Sequence, residues 1–224
     1  MFFPIGDDNI RGRSRPIITY ILIIINCYIF WQQLQLSPEQ MQNFFYAYGA
    51  VPAQIWQGQN LHTLITSMFL HGGWMHLIGN MIFLWIFADN IEVTIGSFKF
   101  LLFYLMGGVV AALVHCFVLK GSTMPCIGAS GAISASLGAY LVMFPSSRIR
   151  VLFIFFSFRV SAFVFLGFYI IQQVLAGMES LEIQAAESSG VGYWAHIGGF
   201  GYGFIRGFFM RKAVRREDFK AGYL

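Results

Sequence analysis

Long apolar runs and short polar breaks alternate along the chain. Six runs read as helices: 17–31, 73–88, 98–119, 130–144, 160–176 and 194–210. Each is near the length that crosses a hydrocarbon core of ~30 Å, although the second, fourth and sixth are short. None alternates with period two over its length, which excludes a closed membrane barrel. The predicted fold is therefore an all-α membrane protein built as a bundle of six spans. The expected divisions are an N-terminal segment 1–16, a membrane core 17–210 and a basic tail 211–224.

Composition sharpens the class. The chain is 57% hydrophobic and 11% charged, against roughly 25% charged in a soluble domain. A soluble domain of this length could not hide so much apolar surface. The first fifteen residues hold Asp7, Asp8, Arg11, Arg13 and Arg15 with no small-residue cleavage site beyond, so no signal peptide is expected. Cys27 reads as packing within a span. Cys116 and Cys126 could approach each other, but nothing requires a bridge. No Cys or His pair has zinc spacing, so neither a metal nor a cofactor is expected.

Lys and Arg set the expected orientation. Arg11, Arg13, Arg15, Lys99, Arg148, Arg150, Arg159, Arg206, Arg211, Lys212, Arg215, Arg216 and Lys220 all fall on one side of the six spans, and Lys120 alone on the other. The positive-inside rule places both termini in the cytoplasm. The basic tail reads as a topology anchor, not as a nucleic-acid site. Segment 32–61 then lies outside, and its Phe44, Phe45, Tyr46, Tyr48, Ile55 and Trp56 predict a loop that dips into the interface. Segment 151–158, on the inner side, reads as similarly interfacial. Gln172, Gln173, Glu179, Glu182 and Glu187 mark the outer end and loop of the fifth span.

The polar residues inside the spans carry the chemistry. Ser130 opens the fourth span, only ~22 Å long at 1.5 Å per residue, and Pro145 and Arg148 pin its far end near the inner surface. Ser130 is therefore sunk below the outer surface, and loop 121–129 must dip to reach it. Backbone at that depth is tolerated only beside protein or a water-filled cavity. His196 enters the sixth span from the same side. Gly131, Ser134, Ala135 and Gly138 give the fourth helix a small face, and Gly199, Gly203 and Gly207 give the sixth one at four-residue spacing. Such faces let helices approach closely in lipid. If they meet, Ser130 and His196 arrive at nearly the same depth. His76 and Asn80 share one face of the second helix, and Asn80 can aim its amide at the same cavity. His71 sits on the approach to that helix and reads equally well as a cap.

Each feature alone has a plain reading. Glycine spacing and a serine beside glycines are usually packing, and an intramembrane His or Asn can be helix-to-helix glue. Convergence of Ser130, His196, His76 and Asn80 from three helices at one depth is harder to assign to packing. Serine needs a base to take its proton, and a histidine in an apolar site tends to stay neutral. No carboxylate is placed to complete a triad, because Asp89 lies ~20 Å farther along the second helix than His76.

These residues resemble the rhomboid intramembrane serine proteases. The resemblance rests on Gly128-Ala129-Ser130-Gly131, on His196 before Gly199 and Gly203, and on His76-Leu77-Ile78-Gly79-Asn80. Leu70-His71-Gly72-Gly73-Trp74-Met75-His76 and Glu92-Val93-Thr94-Ile95-Gly96 add to it. It covers the membrane core from about Tyr48 to Gly207. It implies a Ser–His dyad with Ser130 as nucleophile and His196 as general base. His76, Asn80 and the Ser130 backbone N–H would form the oxyanion hole, Glu92 and Gly96 would be structural, and the fifth helix would be the lateral gate. His62-Thr63 stands where many members carry Trp-Arg, and Ser134 where some carry an aromatic.

The expected activity is endopeptidase cleavage of transmembrane protein substrates near the outer face. The expected setting is an integral, multi-pass place in a bacterial inner membrane, with lipid around the core. The competing readings are a rhomboid-like pseudoprotease that binds membrane clients without cleavage, and a small-solute transporter. The latter usually shows repeats and intramembrane acids, and neither is found.

Overall fold

A computed structural model describes residues 2–8, 15–182 and 191–213. It is mainly helical: α1 (Ile17–Gln33), α2 (Pro38–Tyr48), α3 (Trp74–Ile95), α4 (Ser97–Val118), α5 (Ser130–Met143), α6 (Ala162–Glu182) and α7 (Tyr193–Met210). Each expected span falls on one of these helices, but the second, expected over 73–88, continues to Ile95, and the fifth, expected over 160–176, runs from Ala162 to Glu182. Among the described residues, α3, α4 and most of α6 (Ala162–Leu181) are long and apolar enough to cross a membrane, while α1 and α5 are shorter apolar helices.

α5 is the axis of the molecule. Of its residues only Ser130 and Leu141 are not buried. It runs beside α7 on a seam of small residues. A Cβ on Gly199 would collide with the Gly131 carbonyl oxygen, and one on Gly203 with the Ala135 carbonyl oxygen. Gly138 meets the Phe200 carbonyl, and Gly131 also backs onto Ala111 of α4, whose Cβ lies 2.7 Å from where its own would stand. The register therefore pairs Gly131 with Gly199 and Ala135 with Gly203. Hydrophobicity supplies little helix association in lipid, so such backbone proximity carries the packing.

Glu92 ties the first half of the bundle together. Fully buried, it accepts from the backbone N–H groups of Ile18 (2.8 Å) and Thr19 (2.7 Å), the Thr19 hydroxyl (2.8 Å) and the Ser97 hydroxyl (2.6 Å). α1 has no side-chain cap of its own. A carboxylate at its start satisfies open N–H groups and complements the helix dipole. Gly96 takes φ +89, a left-handed value that lets α3 turn directly into α4.

The all-α expectation is corrected by an antiparallel sheet of order β1-β2-β3: β1 (Phe2–Asp7), β2 (Arg148–Phe153) and β3 (Phe156–Ser161). Segment 151–158 is thus most of a hairpin, with Arg148 and Arg150 exposed and Ile149 and Val151 buried. That alternation is the signature of a half-buried strand. The hairpin tip stays apolar and open, with Phe155 90% exposed. In the N-terminal segment, β1 pairs along β2. Arg11, Arg13, Glu187, Arg215, Arg216 and Lys220 lie outside the described residues, as does the end of the basic tail. Segment 32–61 is not a plain loop either. Ser37 and Gln40 form a reciprocal capping box that starts α2, and Trp56 Nε1 donates to the Cys116 carbonyl at 2.7 Å.

Asp7 anchors β1. Its carboxylate accepts from the Tyr140 hydroxyl at 2.5 Å and from Asn90 Nδ2 at 2.9 Å. Burial pushes its pKa up to about 6, with nearby Asp8 adding to the rise and the Tyr140 and Asn90 hydrogen bonds opposing it. A carboxyl raised on folding stabilises the fold fully below its unfolded pKa, ~3.9. That contribution is lost as pH rises through the folded value. The melting temperature of the wild type is therefore expected to fall more steeply between pH 4 and pH 7 than that of Asp7→Asn. Parallel pH profiles would contradict this seating of β1.

The α5–α7 seam makes a second prediction. Gly199→Ala is expected to destabilise by ~1–3 kcal/mol, the usual cost of overpacking. Gly201→Ala, on the same helix with nothing within 4 Å of its Cβ position, is expected to leave the melting temperature in place. Equal melting temperatures for the two would refute the close approach.

Candidate active site

The loop before α5 is held by protein on both sides. Cys126 exchanges two backbone hydrogen bonds with Ala50 (2.9 and 3.0 Å), and Gly128 N–H donates to the Ser67 carbonyl at 2.9 Å. Gly128 takes φ +123, and a Cβ there would stand 2.7 Å from His76 Nε2. Only glycine suits both the backbone and the space. The chain then enters α5 at Ser130. Its first-turn N–H groups have no intrahelical acceptor.

Ser130 Oγ lies 2.7 Å from His196 Nε2. His196 Nδ1 lies 2.7 Å from Gln173 Oε1 of α6. The sequence offered no carboxylate to complete a triad and no partner for this second ring nitrogen. Among the described residues no carboxylate supports the imidazole, and the neutral amide of Gln173 takes that place. Gln173 looked like the outer boundary of a span in the sequence. Its position 23 residues before His196 gives no local signal of the contact.

His76 and Asn80 come to the same place by α3. The N–H of Gly72 donates to His76 Nδ1 at 3.3 Å. That leaves the proton on Nε2, the nitrogen beside Gly128. Asn80 Nδ2 lies 2.9 Å from His71 Nε2, so one amide hydrogen is engaged and the other is left for the cavity. His71 is 1% exposed. Its backbone N–H and carbonyl are both held by the Gln33 amide of α1 (3.1 and 2.9 Å). It is a buried support for Asn80, not a helix cap.

The position four residues beyond the serine is filled indirectly. Ser134 Oγ pairs with the Tyr169 hydroxyl at 2.7 Å. Tyr169 packs by Phe200, with ring centroids 6.3 Å apart. An aromatic thus reaches the site from α6, across a small residue on α5. Ser130, His196, His76, Asn80 and Tyr169 line one cavity of about 840 Å³. Trp74, Met75 and Phe83 of α3 also line it. Thr63 is buried and bonds the Asn60 carbonyl at 2.7 Å, so the His62-Thr63 departure is absorbed within the first loop. Cys116 and Cys126 are both free thiols. Chemically, the cavity joins a hydroxyl, an imidazole acceptor and N–H donors from two helices.

Comparison with known proteins places the chain in a family. The model of the Rhomboid domain matches residues 53–213. The chain is 30% identical over 206 residues to the mitochondrial RHOMBOID-like protein 12 of Arabidopsis thaliana, covering 85% of this chain and 57% of that one. It is 32% identical over 136 residues to Rhomboid protease GluP of Bacillus subtilis, covering 61% and 26%. It is 35% identical over 93 residues to the mitochondrial presenilin-associated rhomboid-like protein of Bos taurus, covering 41% and 25%. The chain thus spans from a quarter to somewhat over half of these relatives. Two of the three are mitochondrial by name, so the relatives do not support the expectation of a bacterial inner membrane. With the matched domain spanning α3 to α7, and with them Ser130, His196, His76 and Asn80, the chain belongs to the rhomboid family.

Proposed function

We propose that this protein is an intramembrane serine endopeptidase that cleaves transmembrane segments of membrane proteins near the outer face. The observation that carries the reading is the 2.7 Å contact between Ser130 Oγ and His196 Nε2 in a cavity that also holds His76 and Asn80. The membrane core, from α1 to α7, crosses the bilayer six times with both termini cytoplasmic. The basic tail anchors that topology. The cavity then opens outward, and water reaches Ser130 through it.

The residues divide the reaction between them. His196 Nε2 takes the Ser130 proton as Oγ attacks the scissile carbonyl. The negative charge that develops on the carbonyl oxygen is met by the Ser130 backbone N–H at the start of α5, where the helix dipole favours it. His76 Nε2–H and the free amide hydrogen of Asn80 donate to the same oxygen. The imidazolium returns its proton to the leaving amine, and the C–N bond breaks. A water, deprotonated by the same nitrogen, then hydrolyses the acyl-serine. A stable helix hides its carbonyls, so favoured substrates carry helix-breaking or small residues at this depth.

Purified protein with a single-span reporter tests the assignment. Ser130→Ala and His196→Ala are each expected to abolish cleavage with the fold intact. Asn80→Ala is expected to lower kcat by ~10²–10³, the usual loss for one oxyanion donor. Turnover by Ser130→Ala at the wild-type rate would end this reading.

A further inference from the structure

Ser130 and His196, as nucleophile and base, use one imidazole nitrogen, and the role of Gln173 rests on that reading. The other nitrogen, Nδ1, is 2.7 Å from Gln173 Oε1. An amide oxygen only accepts. Facing the ring with that oxygen, Gln173 requires the proton on Nδ1 and leaves the lone pair of Nε2 for Ser130 Oγ. The opposite amide orientation would put the proton between Nε2 and the serine and disable the base. One tautomer satisfies both contacts and the chemistry, as in other sites where the partner of one ring nitrogen sets the state of its twin.

Gln173 stands on an unusual helix. α6 is the least buried of the three long apolar helices, at 17% against 56% for α3 and 44% for α4. Among the described residues, the side-chain hydrogen bonds that join it to α5 and α7, Tyr169 to Ser134 and Gln173 to His196, each include a residue that lines the cavity. On the α3 side it is met by aromatic rings, with Phe165 stacked on Phe87 at 6.2 Å and beside Phe83 at 6.5 Å. A helix so loosely buried is held in register partly by the residues it supports.

We propose that Gln173 is a positioning residue for the general base. It fixes His196 in the tautomer protonated on Nδ1 and sets the plane of the ring. Because Gln173 rides on α6, the base is oriented only while α6 is packed against the core. A substrate that displaces α6 on entry must let it return before the serine is activated.

The supporting group is neutral, which separates its effects from those of a carboxylate. Among the described residues, the other titratable side chains that act on His196 are His76 and His115, and neither is acidic. Placing a carboxylate at 173 keeps the acceptor and adds a charge that favours the imidazolium. Placing a leucine there keeps the bulk and removes the acceptor.

The test uses the full chain in bilayer nanodiscs as wild type, Gln173→Glu and Gln173→Leu, each also carrying Ser130→Ala. Nitrogen-15 NMR of labelled histidine reads the tautomer and titration of His196 in the Ser130→Ala forms. Glutamine at 173 is expected to give Nδ1–H alone, leucine a mixture of tautomers, and glutamate Nδ1–H with a titration at least about one pH unit higher. In the forms with Ser130 intact, Gln173→Leu is expected to lower kcat at least about tenfold with KM within about twofold. Gln173→Glu is expected to restore most of kcat and carry the acid limb of the pH–rate profile upward. An unchanged tautomer ratio and an unchanged kcat in Gln173→Leu would overturn the assignment. So would an unmoved His196 titration in Gln173→Glu, which remains decisive if the leucine variant fails to fold. The NMR readout does not depend on turnover. The expected NMR pattern with no wild-type cleavage would count against the protease reading and leave only the tautomer assignment standing, not a role for Gln173 in catalysis.

Discussion

The backbones of α5 and α7 approach where Gly199 faces the Gly131 carbonyl and Gly203 the Ala135 carbonyl, and the other helices are arranged around that contact. No side chain larger than hydrogen fits at those points on α7. Parallel helices in that register bring Ser130 and His196 to the same level with no further adjustment. If the pair is catalytic as proposed, a misplacement of about one ångström there is worth ~10²-fold in rate, which would tie the small-residue seam to the chemistry. The remainder of the bundle holds this pair. α4 backs the seam at Ala111, and α3 supplies His76 and Asn80. Glu92 joins α3 to the start of α1 through hydrogen bonds to Ile18 and Thr19.

The site is built in layers of support. His71 holds Asn80, and Gln33 of α1 holds His71 by both backbone groups. The Gly72 N–H sets the tautomer of His76, and Gly128 leaves room for the ring. Each side-chain donor expected to meet the oxyanion is thus oriented by a second residue. This is how a polar cluster survives in an apolar setting, because every group left unpaired there is costly. The exception within the cluster is His71 Nδ1, buried with no partner among the described residues.

Much of this was legible in the sequence. Apolar runs located the helices because lipid demands long uninterrupted segments. The site stood out because Ser130, His196, His76 and Asn80 are polar residues where polar residues are expensive. What stayed hidden was non-local. Segment 151–158 is so rich in Phe that its strand alternation shows only once Arg148 and Arg150 are paired against β1 and β3. β1 itself has no alternation to find. Gln173 sits near the end of an apolar run, so its polarity carried no surprise, and its bond to His196 depends on how α6 leans. Ser134 looked like a missing aromatic until Tyr169 filled the space from another helix. The glycine faces of α5 and α7 do lie against each other, but their register depends on Ala135, a residue without a distinctive signal.

Covalent capture decides whether Ser130 is a nucleophile activated by His196. The full chain in nanodiscs is treated with a fluorophosphonate, and the adduct is located by peptide mass spectrometry. One adduct per chain is expected, on the peptide that carries Ser130, formed far more slowly in His196→Ala. An adduct on a different residue, or equal labelling rates with and without the histidine, would contradict that pairing.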